Sequence, residues 1–209
     1  MDIKSLGLQT HLMVDGFDSE IIDHGHYLSI VTPTTPGYFW GNFLLFPDPP
    51  EPGDLSDWQR IFAKEIGHRT GIEHQAFAWD SPAGDLGHIE PFLQAKFGLG
   101  QSTVFRTSEV HQPPHYNDSI TVRTVVGESD WQQAIHRHYR GESAMVRYRA
   151  MTEAGHSQWF AAFEGDLLVG GLGIQRLSSG KNLSTGRFSA GRTASWFITI
   201  SQSLGEEIR

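Results

Sequence analysis

Apolar residues recur in short bursts along this chain, and turn-forming residues separate the bursts. Tyr27 to Thr32 is rich in β-branched and aromatic side chains and predicts a strand that stops at Pro33 and Pro36. Phe39 to Phe46, containing Trp40-Gly41-Asn42, predicts a second strand, ended by prolines at 47, 49, 50 and 52. Proline cannot donate to a ladder or continue a helix, so 47–53 reads as a stiff exposed loop. Ser56-Asp57-Trp58-Gln59 has the spacing of a capping box, and Trp58, Ile61, Phe62 and Ile66 follow at helical intervals up to Gly67. A short strand at 75–79, a helix over 89–97 closed by Gly98, and an alternating strand over 102–110 complete this stretch. His111-Gln112-Pro113-Pro114 then breaks the pattern.

The same grammar restarts after Asp118. Ile120 to Val126 predicts a strand, and a second Ser-Asp-Trp-Gln at 129–132 opens a helix with Trp131, Ala134, Ile135 and Tyr139 on one face. A helix over about 143–154 carries Met145, Tyr148 and Met151 and stops at Gly155. Trp159 to Phe163, the turn Glu164-Gly165-Asp166 and Leu167 to Ile174 give a strong hairpin signal. Two short strands are expected near Arg187-Phe188 and over Trp196–Ile200. This alternation predicts mixed α/β architecture in two halves, 1–118 and 119–209.

The chain has 209 residues, 19% of them charged and 38% hydrophobic, with no cysteine. Disorder and coiled coil are excluded by that composition, and disulfides, thiolate metal sites and a cysteine nucleophile by the missing thiol. The net charge of −8 argues against nucleic-acid partners. No apolar run approaches a membrane span and no leader is visible, so a cytoplasmic protein is expected. Charge is unevenly spread: residues 1–118 hold 6 basic and 16 acidic side chains, residues 119–209 hold 10 and 8. A phosphorylated ligand would find the second half the better electrostatic partner.

Most chemistry-bearing patterns read as structure. His24-x-His26 lies in a turn and His136-x-His138 in a helix, where i and i+2 diverge, so no metal site is expected. No Gly-x-Ser-x-Gly elbow or phosphate-binding Walker sequence occurs. Gly170-Gly171-Leu172-Gly173 falls within a hairpin strand and reads as backbone that allows close packing or ligand approach.

The element order after Asp130 (helix, helix, the 159–174 hairpin, then Gly186-Arg187-Phe188) resembles the GNAT superfamily of N-acetyltransferases. The likeness is closest to a bacterial subgroup with an extra N-terminal half, which carries a Trp-Gly-Asn-Phe-Leu strand followed by prolines, as at 40–44 here. Phe92 to Gly98 is similar to the late helix and strand of that fold. The resemblance covers most of residues 6–188. It implies an acyl-CoA N-acyltransferase-like mixed sheet flanked by helices, in two halves, the second incomplete. It also implies acetyl transfer from acetyl-CoA, as co-substrate, to a small-molecule or peptide amine; whether a second subunit covers the exposed edge, as a homodimer would, the sequence leaves open.

In that family the pantetheine arm enters between splayed strands and the pyrophosphate sits on helix-start amides. By resemblance, strand 167–174 and Phe188 would line the arm, and Gln202 and Gly205 would meet the pyrophosphate. No catalytic base is assigned: Tyr148 reads as core and Glu164 as a solvated turn. From Ser189 the chain departs from the family pattern, and Glu206 and Glu207 would repel a phosphate. A truncated second half that keeps weak acetyl-CoA binding accounts for this departure, and so does a foreign ending from a slipped reading frame. The rival to an enzyme is a non-catalytic binding module of the same fold that has lost its cofactor site.

Overall fold

Alternation along two neighbouring strands sorts the largest side chains onto opposite faces of one sheet. In the computed structural model, which describes residues 1–105, 115, 117–137, 142–176, 182–185 and 194–203, the chain forms two compact units. One is Met1–Arg106 with Arg192–Arg209, the other Thr107–Gly191. The first begins with α1 (Leu6–Asp15), β1 (Glu20–Asp23), β2 (Leu28–Val31) and β3 (Asn42–Phe46). There follow α2 (Asp54–Phe62), β4 (His74–Trp79), α3 (Glu90–Gln94) and β5 (Gly98–Phe105). The second unit holds β6 (Ile120–Thr124), α4 (Glu128–Arg137), α5 (Glu142–Glu153), β7 (Ser157–Glu164), β8 (Leu167–Arg176) and β9 (Asn182–Thr185). The last strand, β10 (Ala194–Ser203), belongs to the first unit.

The first sheet has the order β1-β2-β3-β4-β10-β5. Its neighbours are antiparallel except β3 and β4, which run parallel with Leu44, Leu45 and Phe46 opposite Phe77, Ala78 and Trp79. A parallel pair needs a crossover, and α2 supplies it. On one face Leu44, Phe46, Phe77 and Trp79 join Trp58 and Phe62 of α2, Phe92 of α3, and Phe97. On the other, Phe43, Leu45, Ala76 and Ala78 pack with Leu28 and Ile30 around Leu8 of α1. The sheet is therefore covered on both sides, as the unbroken apolar run of β3 requires.

The second sheet, β6-β7-β8-β9, is antiparallel throughout its described strands. Ser157, Trp159, Ala161 and Phe163 of β7 alternate inward. Trp159 meets Trp131 of α4 at 6.4 Å and Tyr148 of α5 at 5.2 Å between ring centroids. A mixed α/β protein is what the sequence pattern predicts, and a mixed sheet flanked by helices is what the family resemblance implies.

Several elements differ from that reading for identifiable reasons. The tail, expected to belong with 119–209, pairs instead along β4 and β5: Ile198 lies opposite Trp79 on one side and Gln101 on the other. Helix α1, without a sequence signal, has no clear apolar stripe, yet Ser5 caps it by accepting the Leu8 amide at 3.3 Å. Strand β1 is exposed along its whole length and so carries no hydrophobic signal. Neither capping box forms. Helix α2 starts two residues before Ser56, after Gly53 in the left-handed region at φ 102°, and the Ser56 hydroxyl donates to the Gly53 carbonyl at 3.0 Å. In α4 the residue held against the start of the helix is Asp130, through the amides of Val126 and Gly127. Residues 39–41 form a 3-10 turn rather than strand, and the helix at 89 ends early because Lys96 adopts φ 69°.

Trp58 is the hub of the aromatic face. It stacks on Phe46 at 3.8 Å with planes 6° apart and meets Phe92 at 5.4 Å and Phe77 at 5.7 Å. Truncating so large a buried ring forfeits its burial and leaves a cavity. Trp58→Ala is expected to destabilise the first unit by about 3–5 kcal/mol in urea denaturation, lowering the midpoint at an unchanged slope.

Candidate functional site

Ligands of sheets with parallel strands usually sit beyond the strands' carboxyl ends, where neighbouring strands part. In the first unit that end is shut. The Asp80 amide donates to the Phe46 carbonyl at 3.0 Å, carrying the pairing with the last residue of β3 one residue past the end of β4. The Asp80 carboxylate is buried and accepts the amides of Lys4 and Ser5 beside the start of α1, the latter at 3.0 Å. Its charge fills the place an incoming anion would need. The chain from Ser81 to His88 folds onto the proline loop: the His88 amide donates to the Pro50 carbonyl, and a Cβ on Gly87 would lie 2.5 Å from that same oxygen. Asp48, Glu51 and Asp54 add negative charge along this approach. An acyl-CoA does not fit here: the strands do not part, and the nearest carboxylates oppose a pyrophosphate.

The amino end of the same pair is organised by Asn42, which is fully buried. Its Oδ1 accepts the Thr32 amide at 3.0 Å. Its Nδ2 donates to the carbonyls of Thr35 and Tyr38, each at 2.9 Å, and reaches that of Pro36 at 3.3 Å. The connection between β2 and β3 is thereby wound around one side chain. Thr32 donates its hydroxyl to the Gly41 carbonyl at 2.8 Å, and a Cβ at Gly41 would lie 2.6 Å from that hydroxyl, so only glycine fits. His74 of β4 closes the cluster through Nε2, 3.1 Å from the Asn42 carbonyl, as the donor to it. Burial holds the His74 imidazole below its ordinary value of 6.5, with the Asn42 carbonyl acting in the opposite sense.

Beside this cluster lies a cleft of about 390 Å³. Val31, Pro33, Pro36 and Ile72 supply its apolar walls, and Thr32, Asn42, His68, Arg69 and Thr70 its polar ones. Gly71, at φ 83°, brings the two rims together, since a Cβ there would lie 2.9 Å from Pro36. Arg69 donates through Nη1 to Glu20 of β1 at 2.9 Å, while its Nε is buried with no hydrogen-bond partner. The Thr35 hydroxyl is likewise buried without a partner.

In the second unit Arg123 grips both oxygens of Asp130 and lies over the Phe163 ring at 3.9 Å. That guanidinium, with the amides of Val126 and Gly127, holds the Asp130 carboxyl below the usual carboxylate range against the effect of burial. This is a structural pair on a helix start, not a reacting one.

The residues singled out from the sequence fall in different places. Phe188 and Gly205 lie outside the described residues. Gln202 is on β10 opposite Gln75, so its backbone sits in a strand of the first unit rather than before a helix of the second. Within β8, Gly170 and Gly171 face Ala162 and Ala161 of β7. Gly173 lies against Trp159, where a Cβ would be 2.7 Å from the indole, so its need for close packing is met by this ring. Tyr148 is buried in the core and Glu164 is exposed at the strand end. His24 hydrogen bonds Ser29 at 2.9 Å and stacks on Tyr27. Among the described residues no group of three His, Asp or Glu could hold a metal, and no helix is long and apolar enough to cross a membrane. The Arg69 cleft carries no sequence signature, because its lining comes from three separate loops and strands.

No family model and no curated protein matches this sequence. Among solved structures, a functionally unknown conserved protein from Staphylococcus epidermidis ATCC 12228 is similar over 89% of this chain and 94% of its own, with TM-score 0.59 and 11% identity. A GCN5-related N-acetyltransferase from Kribbella flavida is similar over 98% of both chains, with TM-score 0.52 and 8% identity. At these identities the likeness is one of fold, and the fold is that of the GNAT acyltransferases.

The buried His74 gives the first unit a defined acid response. In the unfolded chain it protonates as pH falls below about 6.5, while in the folded chain it resists. The unfolded state therefore binds more protons between the two values, and stability falls with falling pH across that window. Denaturation midpoints measured from pH 7.5 to 5 are expected to drop in the native protein. In His74→Gln, which keeps a donor for the Asn42 carbonyl without a titrating ring, this part of the slope is expected to disappear.

Proposed function

We propose that this chain is a GNAT-type N-acetyltransferase that moves an acetyl group from acetyl-CoA to an amine, with the donor taken by the second unit and the first unit serving as a non-binding half. The observation that carries this reading is the fold itself, matched along nearly the whole chain by a GCN5-related N-acetyltransferase. The division of labour rests on the first unit's shut strand ends and acidic approach. Charge agrees: Thr107–Gly191 carries eight Lys/Arg and eight Asp/Glu, so the net −8 of the protein resides in the first unit. A polyanionic donor is repelled less by the balanced unit. Phe188, which belongs to that unit's segment, remains the proposed contact of the donor's arm. Gln202, expected at the pyrophosphate, lies on β10 of the first unit, and this reading gives it no part in donor binding.

Acetyl-CoA supplies the acyl group as a thioester. Transfer forms an amide bond to the acceptor nitrogen, breaks the carbon–sulfur bond and releases the free thiol, with the amine proton passing to solvent or a base. The alternative is a non-catalytic binding module of this fold that has lost its cofactor site. Thermal unfolding with acetyl-CoA separates the two. Ligand at 100 times its dissociation constant should add about 2.7 kcal/mol, and thiol should appear when a panel of small amines and peptide N-termini is supplied. No shift at millimolar acetyl-CoA and no thiol release would leave the binding module.

A further inference from the structure

We propose that the cleft between the β2–β3 connection and residues 68–72 binds a small monocarboxylate, whose carboxyl group is held by the free edge of Arg69. A guanidinium presents a two-donor edge made by Nε and Nη2, a geometric match for a planar carboxylate. In Arg69 the Glu20 carboxylate occupies the other side, through Nη1, which fixes the plane of the group and leaves that edge for another partner. The buried Nε lacks a hydrogen bond, a costly state for a charged donor and one that an incoming acceptor relieves. Thr70 and His68 offer further donors on the same rim, and Val31, Ile72, Pro33 and Pro36 accept an apolar body. A volume of about 390 Å³ is at the lower end for small-molecule sites, which limits the body to a short aliphatic or single-ring group.

Charge selects the carboxylate over a phosphate. Arg69 is the one Lys or Arg among the lining residues, and Glu20 already offsets part of its charge. A monoanion balances what remains, whereas a dianion would stay under-compensated within a unit of net −8. The site lies at the amino ends of β3 and β4, opposite the shut carboxyl ends, and its case does not rest on acetyl transfer. The Asn42 cluster shapes one wall, so the cleft exists before any ligand arrives.

The test is an amide-detected NMR titration of the full chain with benzoate, propionate, benzamide and inorganic phosphate, in the absence of acetyl-CoA. Saturable shifts centred on Thr32, Arg69, Thr70 and Ile72 are expected with benzoate and propionate and not with benzamide. Arg69→Lys, which keeps the charge but loses the flat edge, should weaken benzoate roughly tenfold. N-acetylvaline distinguishes a peptide C-terminus as the source of the carboxylate. Saturation by that probe alone would overturn the assignment to a free small acid. Equal binding of benzamide and benzoate, phosphate binding as tightly as benzoate, or the absence of saturable shifts at these amides would overturn the site itself.

Discussion

The first unit depends on the burial of one uncharged polar side chain. Asn42 has no access to solvent, so each of its polar atoms must find a partner inside the protein or bear the full cost of desolvation. It finds them in the Thr32 amide and in the carbonyls of Thr35 and Tyr38. Those are backbone groups of a ten-residue connection with no ladder of its own. A single amide thus converts a loop rich in proline and threonine into a fixed wall, and the wall sets the entry of β3 beside β4. His74, Gly41 and Thr32 each answer a demand that this arrangement creates: a donor for the Asn42 carbonyl, room for a hydroxyl, and that hydroxyl itself.

The two ends of the parallel pair are opposite in character. At the carboxyl end, where a sheet of this kind offers its ligand site, Asp80 extends the pairing and consumes the local amides. At the amino end, the Asn42 cluster and Gly71 leave a cleft with one incompletely satisfied guanidinium. At the carboxyl end the first unit leaves no opening between β3 and β4. The second unit keeps a different balance of charge, and its described sheet is anchored by Trp159 between Trp131, Tyr148 and Gly173. Glycine in β8 is thus explained by an indole at one position, leaving Gly170 and Gly171 as strand positions beside two alanines.

Much of this fold is legible in the sequence where burial and periodicity agree. β2, β3 from Asn42 onward, β4, α5 and the β7–β8 hairpin all read correctly because their apolar runs are bounded by proline, glycine or a tight turn. Elements without that contrast are not legible: β1 is exposed, and α1 has apolar residues spread around it. The capping boxes do not form because α2 starts earlier, after Gly53 in the left-handed region, and the start of α4 is held by the Asp130 carboxylate. The destination of the tail is not readable either, since a strand of Ala194–Ser203 has no local feature that says which sheet it joins. As for the site, Trp40-Gly41-Asn42 is visible as a motif. Its role is not, because the partners of Asn42 are backbone atoms, which any sequence would possess. Arg69 looks like any surface arginine; only its position against β1 and the cleft distinguishes it.

Native-state hydrogen exchange of the Thr32 amide tests the account most directly, because this proton is held by the Asn42 side chain and by no strand partner. If Asn42 governs the first unit, Thr32 should exchange only through the opening that also releases the β3 amides of Phe43 to Leu45, with matching protection and matching loss in denaturant. Exchange of Thr32 orders of magnitude faster than those strand amides, at the pace of an ordinary loop, would contradict it.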